Sequence, residues 1–109
     1  MEKKKVKLFI SQPMLNRSNE EIKTEREMII ASLKTAMIYS EIEVIDSFFE
    51  NVPHEAKPLW FLGKSLELLS TADLAVFAKG WESARGCKIE HECALQYGIS
   101  LIYMEWFND

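Results

Sequence analysis

The sequence predicts an α/β fold, in which helices cover a parallel β-sheet. Short apolar segments alternate with amphipathic helical segments along the whole chain, which is typical of strand-helix-strand units. The segment 73–78 (DLAVFA) is apolar almost throughout, as expected for a parallel strand that is buried on both faces. We therefore predict a three-layer sandwich of the Rossmann or flavodoxin kind. Its parallel sheet has four to five strands joined by right-handed crossovers.

The size of the chain indicates one domain. It has 109 residues, of which 48% are hydrophobic and 28% are charged, a balance typical of a globular domain with one core. Four glycines and three prolines do not form a linker. We predict a single domain that spans residues 1–109.

The first half of the chain contains two predicted strands and one helix. The apolar run 6–10 (VKLFI) is the first strand. Ser18 and Glu21 have the spacing of a capping box, so a helix follows at 22–39. The second strand is 43–47, with Asp46 near its end. The predicted inward face of the helix is apolar except at one position and consists of Ile22, Arg26, Ile29, Leu33, Ala36 and Met37.

The second half of the chain repeats the alternation. Its predicted elements are a loop (48–58), a helix (59–70), a strand (73–78), a loop (79–85), a helix (86–97), a strand (100–104) and an irregular tail (105–109). The predicted apolar face of its first helix contains Leu62, Leu66 and Leu69. In folds of this kind, ligands bind at the carboxyl ends of the strands, near the amino-termini of the helices. The loops that follow the strands should therefore build the site.

Composition and charge exclude several classes of function. The net charge of −4 does not favour binding to nucleic acid. No apolar run is long enough to span a membrane, and the amino-terminus lacks the apolar core of a signal peptide, so we expect a cytoplasmic protein. Cys87 and Cys93 are six residues apart in one predicted helix and lie on different faces, which argues against a disulfide between them.

The loop 79–85 and the helix after it have the character of an anion site. Free backbone N–H groups at a helix amino-terminus attract a phosphate or a carboxylate, and Gly80 and Gly86 permit a close approach. Ser83 adds a hydroxyl donor, and Arg85 adds a positive charge. The alternative is that the two glycines only turn the chain.

Glu90 is the first candidate for a catalytic residue. It lies about one turn into the predicted helix, where the helix dipole favours an ionised carboxylate that can attack carbon or stabilise a cation. Ala94 and Gly98 follow at intervals of one turn and leave little bulk over that face. A lone helical glutamate is more often a surface residue, so this interpretation depends on its context.

A metal site is not predicted. The stretch HECAL resembles the start of a zinc-protease helix, but Leu95 stands where the second histidine is required. Cys87 and His91 can share a face, yet a structural zinc needs four ligands. We predict no metal and no cofactor. Trp81, beside the loop, can either stack on a nucleobase or cover the core.

Two stretches together carry a resemblance to a known family. The strand that ends in FISQPM and the segment TADLAVFAKGWESARGCKIEHECALQYG resemble the nucleoside 2-deoxyribosyltransferase superfamily. The similarity is greatest to its short phage and bacterial branch of uncharacterised proteins, which is related to 2'-deoxynucleoside 5'-monophosphate N-glycosidases. The specific part is the order and spacing of Asp73, Ser83, Gly86, Glu90, Ala94 and Gly98.

This resemblance implies roles for individual residues. Glu90 would attack the C1' carbon of the sugar and expel the base, and Ser83 would bind a 5'-phosphate. Tyr97 would be an accessory group. Relatives carry an aspartate that protonates the leaving base where this chain has Ser65, and Asp46 is the candidate to replace it. The predicted lining of the sugar and base pocket is Ser11, Gln12, Pro13 and Met14.

We therefore expect an enzyme that cleaves or transfers the N-glycosidic bond of a (deoxy)nucleoside or its 5'-monophosphate. The resemblance also implies a homo-oligomer in which a neighbouring subunit completes the site, with the tail 103–109 as a candidate contributor. The alternatives are a non-catalytic nucleotide- or nucleotide-sugar-binding protein of the same fold, and a structural protein with a vestigial site. We expect no nucleic-acid or membrane partner.

Overall fold

One four-stranded sheet organises the computed structural model, which describes residues 3–49 and 55–107. The strands are β1 (Lys4–Ser11), β2 (Ser40–Val44), β3 (Leu74–Phe77) and β4 (Ser100–Tyr103), and the helices are α1 (Asn19–Ala36), α2 (Pro58–Leu69) and α3 (Arg85–Gln96). The strand order is β2-β1-β3-β4, and all three pairs are parallel. This confirms the predicted α/β class and its parallel sheet.

The helices form layers on both faces of the sheet. Alternate residues of β1 point to opposite faces, as in any strand, so Leu8 packs toward α1 and Phe9 toward α2 and α3. The core on the first face includes Val6, Leu8, Ile10, Ile29, Leu33, Leu74, Val76 and Ala78. The core on the second face includes Phe9, Ile45, Leu69, Ala75, Phe77 and Ala94. The three-layer sandwich predicted from the alternation of elements is therefore present.

The capping box at the start of α1 forms as predicted. The Ser18 hydroxyl accepts a hydrogen bond from the Glu21 backbone N–H (3.1 Å), and the Glu21 carboxylate accepts one from the Ser18 N–H (3.2 Å). These two bonds satisfy donors that a helix end leaves free. The helix consequently begins at Asn19, earlier than the predicted 22, and ends at Ala36 instead of 39.

The predicted bounds of the second strand were wrong. The structure places β2 at Ser40–Val44 instead of 43–47, because the parallel register pairs Lys4 with Ser40 immediately after α1 ends. Ile45 still donates its N–H to the Leu8 carbonyl (2.8 Å), and Asp46 follows beyond the strand. The shift moves Asp46 into the loop at the carboxyl edge of the sheet.

Smaller differences affect the loops. The loop before α3 contains a short 3-10 helix at Trp81–Ser83, and the predicted irregular tail contains another at Met104–Phe107. Parts of the predicted loop 48–58 and of the tail lie outside the described residues.

Both cysteines are free, as predicted. Within residues 3–49 and 55–107, no helix has the length and apolar character needed to cross a bilayer.

Candidate functional site

A buried contact between β1 and α3 forms the centre of the candidate site. Ser11, the last residue of β1, donates its hydroxyl to Oε1 of Glu90 on α3 over 2.6 Å. Ser11 is 1% exposed and Glu90 is 8% exposed. The chain leaves β1 toward β2 on one side, and β3 lies on the other side, so this contact sits where the strand order reverses. Parallel α/β sheets bind ligands at such a point.

The surroundings of Glu90 have two opposite effects on the ionisation of its carboxyl group. The sequence predicted an ionised Glu90, but burial raises the pKa of its carboxyl, because it disfavours the charged form more than the neighbouring hydroxyls favour it. The Ser11 hydroxyl, which donates to the carboxylate, and the nearby Ser65 hydroxyl lower this pKa in part. Ser65 comes from α2, so three elements meet at this carboxylate. The pKa of Cys87, one turn before Glu90, is raised to about 11 mainly by burial, so its thiol stays protonated at neutral pH. The carboxylate is therefore surrounded by neutral groups.

The rim of the site joins the loops that follow β1 and β3. The Ala78 N–H donates to the Ser11 carbonyl over 2.9 Å, which continues the pairing of the two strands to their ends. Beyond them, a Cβ placed on Gly80 would lie 3.8 Å from Cγ of Pro13, so the two loops are in contact. Gly80 has a φ of +86°, which favours glycine at this turn. Met14 is 38% exposed beside them.

The amino-terminus of α3 is open and has no side-chain cap. The N-cap residue Ala84 makes no side-chain hydrogen bond, and the first turn contains no acidic residue. A Cβ on Gly86 would meet nothing within 4 Å. Ser83 and Arg85 are both exposed next to this end. Free N–H groups, open space and a nearby cation are the features that the sequence predicted for an anion site.

Gln12 points away from Glu90, toward α1. Its Nε2 donates to the Ile22 carbonyl (3.1 Å) and to Oε1 of Glu25 (2.9 Å), and its Oε1 accepts from Arg26 (3.1 Å). The reason is the alternation of neighbouring residues along an extended chain, which sends Ser11 to one face and Gln12 to the other. The side chain predicted to line the pocket is thus used in a network beneath α1.

Arg26 is a buried residue at the sheet edge to which the sequence assigned no role in the site. It is 8% exposed and donates to Gln12, to the Ser47 hydroxyl (3.4 Å) and to the Ile45 carbonyl (3.4 Å). It therefore ties α1 to the loops after β1 and β2. The signal was visible in the sequence, since Arg26 is the one charged residue on an otherwise apolar helix face.

Asp46 and Tyr97 lie apart from Glu90. Asp46 is exposed, and its charge acts on Arg26, whose pKa burial lowers and Asp46 partly restores. Tyr97 is 84% exposed at the carboxyl end of α3, the end remote from the open amino-terminus. It would meet a ligand at the Glu90 site only if a second copy of the chain brought it there, and the homo-oligomer stays a prediction.

Trp81 belongs to an aromatic cluster on the flank of α3. Its ring stacks on His91 with centroids 4.1 Å apart and on Tyr103 at 5.7 Å, and it packs against Phe77 at 5.5 Å. His91 Nε2 is also hydrogen-bonded to the Tyr103 hydroxyl at 2.5 Å. The indole therefore covers the core in this structure, the second of the two roles that the sequence left open.

Another depression lies at the opposite edge of the sheet. It has a volume of about 790 Å³ and is lined by Lys3, Lys34, Ile38, Ser40, Glu41 and Ile42. These residues are at the amino-terminal ends of β1 and β2 and the carboxyl end of α1, so none of the predicted site residues lines it. Within the described residues, no group of three or more His, Cys, Asp or Glu could hold a metal ion.

Comparisons with known proteins support the fold. No protein-family model matches the chain, and no curated protein matches it. Among solved structures, it is similar to a conserved protein from Enterococcus faecalis V583, with a TM-score of 0.65 and 14% sequence identity. The similarity covers 90% of this chain and 62% of the Enterococcus protein, so this chain spans less than two thirds of that protein's length. At this identity the similarity concerns the architecture alone.

Proposed function

We propose that this protein cleaves or transfers the N-glycosidic bond of a (deoxy)nucleoside or its 5'-monophosphate, with Glu90 as the nucleophile. The observation that carries the proposal is the buried Glu90 carboxylate, held by Ser11 at the carboxyl edge of the sheet. The open amino-terminus of α3 lies about one turn away on the same helix. A carboxylate next to an anion site suits a substrate that has a reactive sugar carbon and a phosphate.

These positions support the following reaction. In the ionised state, one oxygen of Glu90 bonds to C1' of the sugar as the bond from C1' to the base nitrogen breaks. The transition state has oxocarbenium character, which a neighbouring carboxylate stabilises. Water, or a second base, then takes the sugar from the glutamyl ester. The backbone N–H groups of Gly86 and its neighbours, with Ser83 and Arg85, would hold a 5'-phosphate at the helix end.

The direct test is base release. Purified protein is incubated with a panel of deoxynucleosides, ribonucleosides and their 5'-monophosphates, and free base is measured by liquid chromatography. Release from at least one member is expected. If none releases base at any pH between 5 and 9, and N7-methylated deoxyguanosine releases none either, the proposed reaction is rejected.

Ser11→Ala is expected to move the pH profile of this reaction toward alkaline pH. The hydroxyl of Ser11 lowers the pKa of Glu90, so its loss leaves less of the carboxylate ionised at a given pH. On the acid side of the profile, kcat/KM should fall about tenfold, the effect of losing one hydrogen bond to a charged group. Ser100→Ala, at an exposed position on β4, is the control. A uniform loss at all pH values would mean that Ser11 acts only through packing.

Gly86→Ala is expected to weaken binding of the monophosphate without unfolding the protein. The new methyl group enters open space in the protein but stands where an anion would approach the helix end. Affinity for a nucleoside monophosphate should fall about tenfold, while affinity for the nucleoside is unchanged. Gly63→Ala is the matched control, because Gly63 is also helical and also has nothing within 4 Å of an added Cβ. If Gly86→Ala and Gly63→Ala bind the monophosphate with equal affinity, the phosphate does not bind at the amino-terminus of α3.

A second candidate function is nucleotide binding without turnover. It is favoured by Ser65, a hydroxyl where relatives of the resembled family carry the acid that protonates the base. Titration calorimetry separates the two candidates. If the protein only binds nucleotides, the wild type and Glu90→Gln should bind a nucleotide with equal affinity, and neither should release base. If neither binds any nucleotide, this second candidate function is rejected.

A further inference from the structure

The groups that surround Glu90 are neutral hydrogen-bond donors. The Ser11 hydroxyl donates to its carboxylate, the Ser65 hydroxyl lies near enough to lower its pKa, and the buried thiol of Cys87 lies one turn before it on α3. After burial itself, these two hydroxyls are the influences on the ionisation of Glu90. Within the described residues, no lysine or arginine forms a hydrogen bond or an ion pair with it. The ionised carboxylate is therefore a buried anion without a cationic partner, which is a costly arrangement.

The other ionisable groups near this site are engaged elsewhere. Glu25 acts on Cys87 through space, but its Oε1 accepts hydrogen bonds from Arg17 (2.8 Å) and from Gln12 (2.9 Å). His91 follows Glu90 directly, yet its Nε2 bonds to Tyr103 and its ring stacks on Trp81. Neither side chain is placed to give a proton to a base that leaves from a sugar at Glu90. The nearest donors are hydroxyls and a thiol, which are weak acids.

The protonation of the leaving group decides which substrates such a site can process. A neutral nucleobase takes the bonding electron pair and departs as an anion unless an acid protonates it, and a positioned acid typically contributes about 10²–10⁴-fold to the rate. A base that is already positively charged takes the same electron pair and departs neutral, so it needs no proton. A cationic substrate also supplies the positive charge that the buried carboxylate lacks.

We propose that the Glu90 site is specific for N-glycosides whose leaving base carries a positive charge, such as N7-alkylated purine or N-glycosylated pyridinium nucleosides. This rests on the proposed glycosyl transfer to Glu90. The electron pair of the C1'–N bond moves onto the ring nitrogen and cancels its charge, while a Glu90 oxygen forms the new bond to C1'. Water then adds hydroxyl to C1', which frees the Glu90 carboxylate and releases one proton to solvent.

The test compares two substrates that differ by one methyl group and one charge. These are 7-methyl-2'-deoxyguanosine and 2'-deoxyguanosine, with their ribose counterparts as a second pair, and the background of Glu90→Gln is subtracted. The expected kcat/KM is at least about 100-fold higher for the methylated member. Its pH profile should rise through the ionisation of Glu90 and then stay level, because no acid has to remain protonated.

An engineered acid provides the second arm of the test. Ser65→Asp places a carboxyl group beside Glu90, and two adjacent carboxylates share a proton because both cannot ionise easily. The variant should gain about 100-fold on the unmethylated substrate and little or nothing on the methylated one. Ser65→Asn has the same shape without an acid and should gain nothing. Circular dichroism verifies that both variants are folded.

The outcomes separate the two proposals. Cleavage of both members with kcat/KM values within about tenfold of each other, or a bell-shaped profile, overturns the specificity and leaves the glycosidic reaction intact. Cleavage of neither member overturns both. The comparison of the two substrates with the wild-type protein can overturn the specificity without any variant. The test therefore remains decisive even if an engineered variant does not fold.

Discussion

Glu90→Gln is expected to abolish base release and at the same time to make the protein more stable at neutral pH. Removal of a catalytic nucleophile typically costs several orders of magnitude, and we expect a loss of at least about 10³-fold in kcat. The gain in stability arises because glutamine keeps the acceptor for the Ser11 hydroxyl but carries no charge into the buried site. Active-site groups of this kind often lower the stability of the folded protein while they are required for its function.

The sign of the stability change depends on pH. Burial raises the pKa of Glu90 in the folded state above its ordinary value of 4.5, so the folded protein binds more protons than the unfolded chain within that window. The free energy of unfolding therefore falls as pH rises from about 4.5 through the folded-state pKa. The advantage of Glu90→Gln should be absent near pH 4 and should grow to on the order of 1 kcal/mol at neutral pH.

Urea unfolding at a series of pH values measures this effect. Glu92→Gln is the matched control, since Glu92 lies two residues further on the same helix and is exposed. Its unfolding free energy should follow that of the wild type at every pH. A constant difference between Glu90→Gln and wild type across pH 4–8 would contradict the assignment of a buried, destabilised carboxylate.

Arg26→Ala is expected to cause the largest loss of stability outside the apolar core, about 3 kcal/mol. It removes the packing of a long buried stem and three hydrogen bonds that join α1 to Gln12, Ile45 and Ser47. Such a loss combines the cost of a cavity with that of buried polar groups left without a partner. Urea unfolding followed by tryptophan fluorescence measures it.

Arg26→Met separates the two contributions. Methionine retains most of the apolar stem and none of the donors, so its loss should be smaller, about 1 kcal/mol, and reflect the hydrogen bonds less the cost of burying a charge. An Arg26→Ala variant within about 0.5 kcal/mol of wild type would mean that the network does not hold α1 to the sheet edge. Lower base release by Arg26→Met under conditions in which the variant is fully folded would show that the network also positions the β1 loop.

Much of the architecture follows from local pattern. The alternation of elements, the apolar strand β3 and the capping box at Ser18 are properties of neighbouring residues, and all three appear in the structure. The second strand was misplaced because 40–44 and 43–47 have similar strand character. The choice between them is made by pairing with β1, which begins at Lys4 opposite Ser40. Local preference does not contain this register.

Some features of the candidate site also follow from local sequence, and others depend on contacts between distant segments. The spacing from Gly86 to Glu90 in a helix after a buried strand predicts an acidic group near a helix amino-terminus, and Glu90 is indeed buried there. Its hydrogen bond to Ser11 joins residues 79 positions apart in the sequence. The effect of Ser65 on the pKa of Glu90 was not expected from the sequence, in which this residue stands where an acid is missing.

By itself, then, the sequence determines the α/β class and the approximate position of the helices, and it proposes Glu90 as the central residue, because these depend on hydrophobic period, caps and spacing along the chain. Tertiary structure alone decides the register of β2, the turn of Gln12 toward Arg26, the role of Trp81 in the core, and the neutral surroundings of Glu90. These depend on which residues the sheet and its two helical layers bring together. The physical reason is that the burial of a side chain and the charges around it depend on its neighbours in space, which come from segments that are far apart in the sequence.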